Sequence, residues 1–348
     1  MKYFASDNNS GAHPDVLAAV QAANQDNVAS YGDDPYTAKA QEAFRRIFGR
    51  ETRAYFVFVG TAANVLTLRS VLKPYEGVIC AACGHINTDE CGALESVGRK
   101  IFPVPHKNGK IRPEDCAEYF KHDAGVHRVL PRILSITQST EFGALYRKEE
   151  IRELAAFCRE HKLYLHVDGA RISNAAAALG QDLCAATKDL GVDIMSFGGT
   201  KNGLLLGEAV LFFNPELAPD FGFHHKRGMQ LCSKMRFISA QFLAYLENDL
   251  WLKNATTANS MCQLLAEKMR AMPGVKITTP VEVNAIFARL PKLAAEKLLR
   301  DYSIAVWDES PDIGDSPVDG PELRFMTSFN TTREDIEELA AALARALA

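Results

Sequence analysis

The sequence predicts an α/β fold: a mostly parallel sheet in a large first domain, followed by a small α+β domain at the C-terminal end. Three observations predict it. Short β-rich apolar runs alternate with helical patterns as far as about residue 213. These runs are apolar throughout rather than alternating, as strands covered by helices on both faces must be. Beyond about residue 250 the rhythm changes to one long helical stretch and then several closely spaced candidate strands, the pattern of an antiparallel sheet with segregated helices. The expected domains are residues 1–250, with the N-terminal segment contributing to the functional site, and residues 251–348.

The elements follow in order. Strand-like runs lie at 55–60 (YFVFVG), 78–82 (VICAA), 100–104 (KIFPV), 132–137 (RILSIT), 163–168 (LYLHVD), 193–198 (DIMSFG) and 208–213 (EAVLFF). Helical segments such as 149–161 (EEIRELAAFCREH) separate them. In open α/β sheets ligands sit at the carboxyl ends of the strands, where Gly60, Asp168 and Lys201 fall. The long helical stretch through NSMCQLLAEKMRAM stops at Pro273-Gly274, and the candidate strands VKITT, NAIFARL, SIAVWD and ELRFMTSF follow. The last helix is expected to start at a capping box of Thr331 with Glu334. The Asp-, Pro- and Gly-rich segment 308–321 reads as a surface loop.

Composition narrows the function. With 47% hydrophobic and 24% charged residues and a net charge of −4, nothing points to nucleic acid or to an anionic membrane surface. No secretory signal pattern opens the chain and no apolar run approaches a bilayer span, so a cytoplasmic protein is expected. The eight cysteines are scattered, mostly in apolar runs, and read as reduced core residues. Cys80 and Cys83 have CxxC spacing near His85 and Cys91. A structural zinc site would usually show a second pair farther along, and none follows, so no metal is expected.

The chemistry is concentrated between Tyr164 and Gly203. One carboxylate, Asp168, ends a buried strand, and Arg171 follows three residues on. Lys201, flanked by Gly198, Gly199, Thr200 and Gly203, follows the next apolar strand. A lysine in such a loop is badly placed for a core role. Amine and carboxylate one strand-helix-strand unit apart suit pyridoxal 5'-phosphate (PLP): the amine condenses with the aldehyde, and the carboxylate keeps the pyridine nitrogen protonated. Gly60-Thr61 ends one strand and opens a helical run, which makes a natural anion site at a helix N-terminus. Neither GxGxxG nor a Walker lysine motif occurs, which counts against dinucleotides and nucleoside triphosphates. His85, shortly after the strand VICAA, is placed to stack on a bound ring or to move protons. On its own it would read as a half-buried core histidine.

Together, FASDNNSG, YGDDPYT, FVGTAANVL, CGHINTDECGA, SITQSTEFGALY, LHVDGAR and SFGGTKNG resemble the PLP-dependent L-threonine aldolases, in particular their low-specificity bacterial branch. The resemblance covers most of the chain and weakens toward the C-terminal end. It implies the aspartate-aminotransferase-like fold of PLP-dependent transferases and a homo-oligomer, dimer or tetramer, with active sites at subunit interfaces. Carried over by position, it makes Lys201 the Schiff-base lysine, Asp168 the partner of the pyridine nitrogen and His85 the ring stacked on the cofactor. Gly60 and Thr61 would hold the phosphate. Arg171 would sit near the cofactor and bind the substrate carboxylate, with Arg324 as the second carboxylate ligand and Ser6 in support, and His127 would act on the substrate hydroxyl. A glycine run widespread in the family is replaced by QLCSKMRF (230–237), which leaves Lys226 as the phosphate contact from a neighbouring subunit. For Arg324 the alternative is a structural role, snorkelling or pairing with Asp308 or Glu309.

The expected function is retro-aldol cleavage of L-threonine, L-allo-threonine and other L-β-hydroxy-α-amino acids to glycine and an aldehyde. The rivals are another PLP reaction at Cα, such as β-elimination or transamination, and a catalytically inactive PLP-fold regulatory protein.

Overall fold

The computed structural model describes residues 2–121, 125–308, 318 and 320–348. Thirteen strands lie within them. They are β1 (Lys2–Tyr3), β2 (Arg53–Val57), β3 (Glu76–Ala81), β4 (Lys100–Val104), β5 (Leu130–Thr137), β6 (Tyr164–Gly169) and β7 (Ile194–Gly198). They continue as β8 (Glu208–Phe212), β9 (Lys276–Ile277), β10 (Ala285–Arg289), β11 (Tyr302–Ser303), β12 (Ala305–Asp308) and β13 (Glu322–Met326).

The large sheet has the order β2-β8-β7-β6-β5-β3-β4. Only β8 runs against the others, pairing antiparallel with β2 and with β7. The mixed sheet therefore stays parallel where the expected ligand edge lies. Strands β3 and β7 are buried at every residue, which accounts for their uninterrupted apolar runs. The core on one face gathers Phe44, Phe48, Phe56, Phe197 and Phe242. The opposite face is covered by the helix Gly60–Val71, with Leu68 and Leu72 packed on Val78 and Ile133.

The second sheet has the order β12-β13-β10-β9 and is antiparallel throughout. Its core brings Ile286, Phe325 and Leu339 together with Leu265 of the long helix Leu250–Arg270. Phe4 joins this core, because β1 pairs parallel with β11 and the Met326 amide donates to the Phe4 carbonyl at 2.7 Å.

Two expectations change. The capping box of the last helix, Arg333–Leu347, is formed one residue later, by Thr332 with Asp335. The Asp335 amide donates to Thr332 Oγ1 at 3.1 Å, and the Thr332 amide to Asp335 Oδ2 at 2.9 Å. Thr331 is engaged elsewhere: its hydroxyl accepts from the Ser328 amide at 2.9 Å. The expected loop 308–321, with Glu309, falls almost wholly outside the described residues. Among the described residues no helix is long and apolar enough to cross a membrane.

Candidate active site

The parallel strands end along one edge, and the chemistry-bearing residues collect there. Lys201 sits in the single 3-10 turn Thr200–Asn202, directly after β7. Buried polar contacts fix this turn from behind. Asn202 Nδ2 donates to Tyr245 Oη at 2.7 Å and to the Trp251 carbonyl at 2.9 Å. Asn254 Nδ2 donates to the Asn202 carbonyl at 2.9 Å. Gly203, at φ +111°, closes the turn, and a Cβ there would stand 2.6 Å from Asn254 Nδ2, so glycine is required on both counts. Among the described residues no hydrogen bond or ion pair engages the Lys201 amine. Burial, then the nearby Arg171 guanidinium, pushes its pKa below that of an ordinary lysine, which favours the neutral, nucleophilic form.

Asp168 ends β6 beside this turn, in register with Thr137 of β5 and Ser196 of β7. Its carboxylate is held from both sides: Ala170 N donates to Oδ1 at 3.0 Å and Asn64 Nδ2 to Oδ2 at 2.8 Å. Asn64 Nδ2 also donates to Glu90 Oε1 at 2.9 Å, and the same oxygen lies 2.9 Å from His85 Nδ1. Asp168, Asn64, Glu90 and His85 thus form one hydrogen-bonded chain. The Glu90 side chain is fully buried, whereas 38% of the His85 side chain is exposed, so the charged end of the chain opens toward solvent. The hydrogen bond to Glu90 raises the His85 pKa above the ordinary imidazole value, and Asp168 adds to this. Behind Asp168, His166 lies between Ser135 Oγ at 2.9 Å and Ser196 Oγ at 3.2 Å. Complete burial lowers its pKa to about 4, so it is neutral around pH 7. Glu141 accepts from the His85 amide at 3.1 Å and from Thr137 Oγ1 at 2.7 Å, which positions the residue that carries the imidazole.

Gly60 and Thr61 open the helix Gly60–Val71, whose N-cap, Val59, provides no side-chain acceptor. Its first amides are therefore left for an anion. A Cβ on Gly60 would meet nothing within 4 Å, so space is open above it. Thr200 flanks Lys201 on the neighbouring strand end. These features fit PLP. A phosphate would meet the uncapped helix, a pyridine nitrogen the doubly held Asp168 carboxylate, and an aldehyde the unengaged Lys201 amine.

The arginines sit at the junction of the two sheets. Arg171 Nε donates to Asp7 Oδ2 at 2.7 Å and Nη2 to Asp7 Oδ1 at 2.9 Å, so one edge of its fork is engaged. Asp7 is 1% exposed. Burial alone would raise its pKa, but Arg171 overrides burial and holds the carboxyl below the usual aspartate range. Arg324, on β13, donates through Nη2 to the Ala5 carbonyl at 3.0 Å and lies 5.0 Å from the centre of the Trp307 ring. Among the described residues its buried Nε has no partner. The Asp308 carboxylate, the structural alternative for Arg324, instead accepts from Arg289 Nη2 at 3.0 Å. Ser6 Oγ accepts from the Asn8 amide at 3.2 Å and caps the 3-10 turn that carries Asp7.

Two expected residues are not brought into this group. His127 is exposed in a 3-10 turn just before β5, at the amino end of that strand. It lines a cavity of about 1110 Å³ with Lys100, Arg132 and His161. Eight strand residues separate that end from Thr137, roughly 25 Å along the sheet. Within one chain His127 therefore does not reach Lys201. Lys226 is exposed on the helix Phe221–Arg227, with its amine 4.3 Å from the centre of the Tyr31 ring. Conversely, Asp7, Asn64, Glu90, Glu141 and His166 belong to the site and were not singled out from sequence.

Comparison with known proteins agrees with this geometry. The model of the beta-eliminating lyase family matches residues 3–292. A low specificity L-threonine aldolase of Pseudomonas sp. is 42% identical over 97% of this chain and 96% of its own length. One from Saccharomyces cerevisiae is 29% identical over 78% of this chain and 70% of its own. Among solved structures, a threonine aldolase of Leishmania major superposes with a TM-score of 0.93 at 28% identity, covering both chains completely. An aspartate aminotransferase of Thermus thermophilus, 17% identical, shares the fold at a TM-score of 0.68 over 97% of this chain and 89% of its own. The unengaged lysine and the braced carboxylate at one sheet edge both lie within the residues matched to a sequence family: the chain belongs to the beta-eliminating lyases, PLP-dependent enzymes of the aminotransferase-like fold.

Proposed function

We propose that this protein cleaves L-threonine, L-allo-threonine and other L-β-hydroxy-α-amino acids to glycine and an aldehyde, with PLP as cofactor. The observation that carries the reading is the unengaged Lys201 amine at the same sheet edge as an Asp168 carboxylate braced by Asn64 and Ala170. PLP, when bound, supplies an electron sink that accepts the bonding pair released at Cα.

The protein's own residues do the rest. Lys201 presents the amine that holds the cofactor aldehyde. Asp168 would hold the ring nitrogen, with its carboxylate kept in one orientation because both of its oxygens already accept hydrogen bonds. Gly60 and Thr61 bind the phosphate through the first amides of their helix. Arg324, with its unpartnered Nε, binds the substrate carboxylate, and Arg171 contributes the edge of its fork that Asp7 leaves free. Ser6 supports this arrangement by capping the turn of Asp7. His85 would cover the cofactor ring; with Nδ1 held by Glu90, its other ring nitrogen, Nε2, could hold or release a proton beside the β-hydroxyl.

We further infer a homo-oligomer in the cytoplasm, with a second copy over the open side of the site. Val59, Leu205, Leu206, Phe223 and Met229 are exposed apolar side chains close in sequence to Gly60, Lys201 and Lys226, and exposed Tyr31 lies against the Lys226 amine. That is more apolar surface in one region than an isolated chain usually shows. In such an assembly Lys226 would serve the neighbouring phosphate, and His127 would act only on the site of another copy. Eight cysteines, all free, suit a reducing compartment.

The test is incubation of the purified protein with PLP and L-threonine. Glycine and acetaldehyde are expected, whereas a keto acid and ammonia would favour elimination. Lys201→Ala should abolish the borohydride-reducible adduct, and an adduct on any other lysine would refute the assignment.

A further inference from the structure

Glu208 is a charged residue at the same sheet edge that none of the roles above uses. It opens β8, the one reversed strand of the large sheet, so it lies level with the carboxyl ends of its two neighbours. It is paired with Gly198 of β7 on one side and Val57 of β2 on the other. Those two strands lead straight into the Lys201 turn and into the Gly60–Thr61 helix start. The carboxyl therefore stands between the segment read as binding the aldehyde and the segment read as binding the phosphate. It accepts from the Gly199 amide at 2.6 Å through Oε2. The backbone amide two residues before Lys201 is thus already directed at a carboxylate.

We propose that Glu208 is a positioning residue at the phosphate end of the cofactor site, and that it takes up a proton when a phosphate group binds there. The proposal rests on the reading of the site given above. As a carboxylate, Glu208 would place a second negative charge beside a phosphate dianion, and like charges in one low-dielectric site do not both remain ionised. As a neutral acid it keeps that hydrogen bond and removes the repulsion. The charged groups that face it are Lys201, which favours the carboxylate, and Asp168, which disfavours it. Arg171 and Asp7 act on Lys201 from farther along the edge and largely cancel by pairing with each other. Burial outweighs all of these and raises the Glu208 pKa to about 7, so the proton is available near neutrality.

The test uses apoprotein titrated with PLP, following absorbance, and Glu208→Gln as a neutral, isosteric variant. Pyridoxal, which lacks the phosphate, controls for the pH dependence of the amine. Between about pH 7 and pH 8.5 a phosphate monoester stays a dianion. Over that interval wild-type affinity for PLP should fall roughly tenfold more than its affinity for pyridoxal. Glu208→Gln should show no such excess. Calorimetry in two buffers of different ionisation enthalpy should find that the wild type takes up more protons per PLP bound than the variant. An unchanged pH slope and proton uptake in Glu208→Gln would overturn the proposal while leaving the Lys201 adduct intact. Failure of wild-type Lys201 to form an adduct at either pH would overturn the parent reading, and this one with it.

Discussion

Asp7→Asn tests whether the site depends on a carboxylate supplied by the N-terminal segment. Asp7 is 1% exposed and meets both Nε and Nη2 of Arg171, whose side chain is 16% exposed. Asn284 Nδ2 adds a third donor to Asp7 at 3.1 Å. Little solvent can therefore replace the lost charge. Stripping one partner from a buried ion pair costs about 3–5 kcal/mol, and because asparagine keeps one acceptor the lower end, about 3 kcal/mol, applies. For a chain of 348 residues, unfolding entropy of about 2 cal/mol/K per residue turns this into a Tm lower by roughly 4 °C. The pH dependence has a definite sign. Arg171 holds the folded Asp7 pKa below its unfolded value, so the contribution is present above the unfolded pKa and is lost as pH falls through the folded one. The difference between wild type and variant should be constant near neutrality and shrink only below about pH 4. Thermal unfolding of the apoproteins, with Arg171→Met and the double variant, completes the cycle. A loss under about 1 kcal/mol, or strict additivity in the double variant, would refute the reasoning.

Further outcomes are expected. In Glu90→Gln the His85 pKa should drop toward the ordinary imidazole value, read by NMR titration of the ring. The interaction that raises it is present below the unfolded pKa and is lost as pH rises through the folded one, so wild type and variant should converge in alkaline solution. Arg324→Lys should lower kcat/KM for L-threonine by about a hundredfold, because an ammonium cannot reproduce the guanidinium fork; near-normal turnover would return Arg324 to a packing role against Trp307. Initial rates should show cleavage of both L-threonine and L-allo-threonine within roughly 10- to 200-fold of one another, since no second rigid polar clamp is identified for the β-carbon; strict use of one epimer would contradict this.

The large sheet was legible because its inner strands are buried on both faces, so β3, β5, β6 and β7 stand out as apolar runs. Lys201 and Asp168 were legible for the opposite reason, as charged residues at the ends of such runs. The capping box slipped by one residue because Thr331 with Glu334 and Thr332 with Asp335 both satisfy the local pattern. What decides between them is the Ser328 amide, a contact that spacing does not encode. Asp7 and Glu90 were passed over because a buried carboxylate is identified by its partners. Those of Asp7 lie 164 and 277 residues away. His127 was placed with the others by family pattern alone, and that pattern carries no information about which end of β5 it occupies.

The pairing of β1 with β11 bears on how the enzyme is made. Residues 2–7 are made before every one of their partners, which are Tyr302, Ser303, Arg324 and Met326 as well as Arg171 and Asn284. The seven-stranded sheet, with Lys201 and Asp168 in place, needs Phe242, Tyr245, Trp251 and Asn254 but nothing of β9 to β13, so it can form while the residues after 270 are still being synthesised. The arginine pair cannot be finished until translation is nearly complete, because the segment that clamps Arg171 and caps Arg324 is itself waiting for β11 and β13. Contacts of such long sequence separation close slowly. A nascent chain would therefore complete the Lys201 and Asp168 end of the site before the end that carries Arg171 and Arg324.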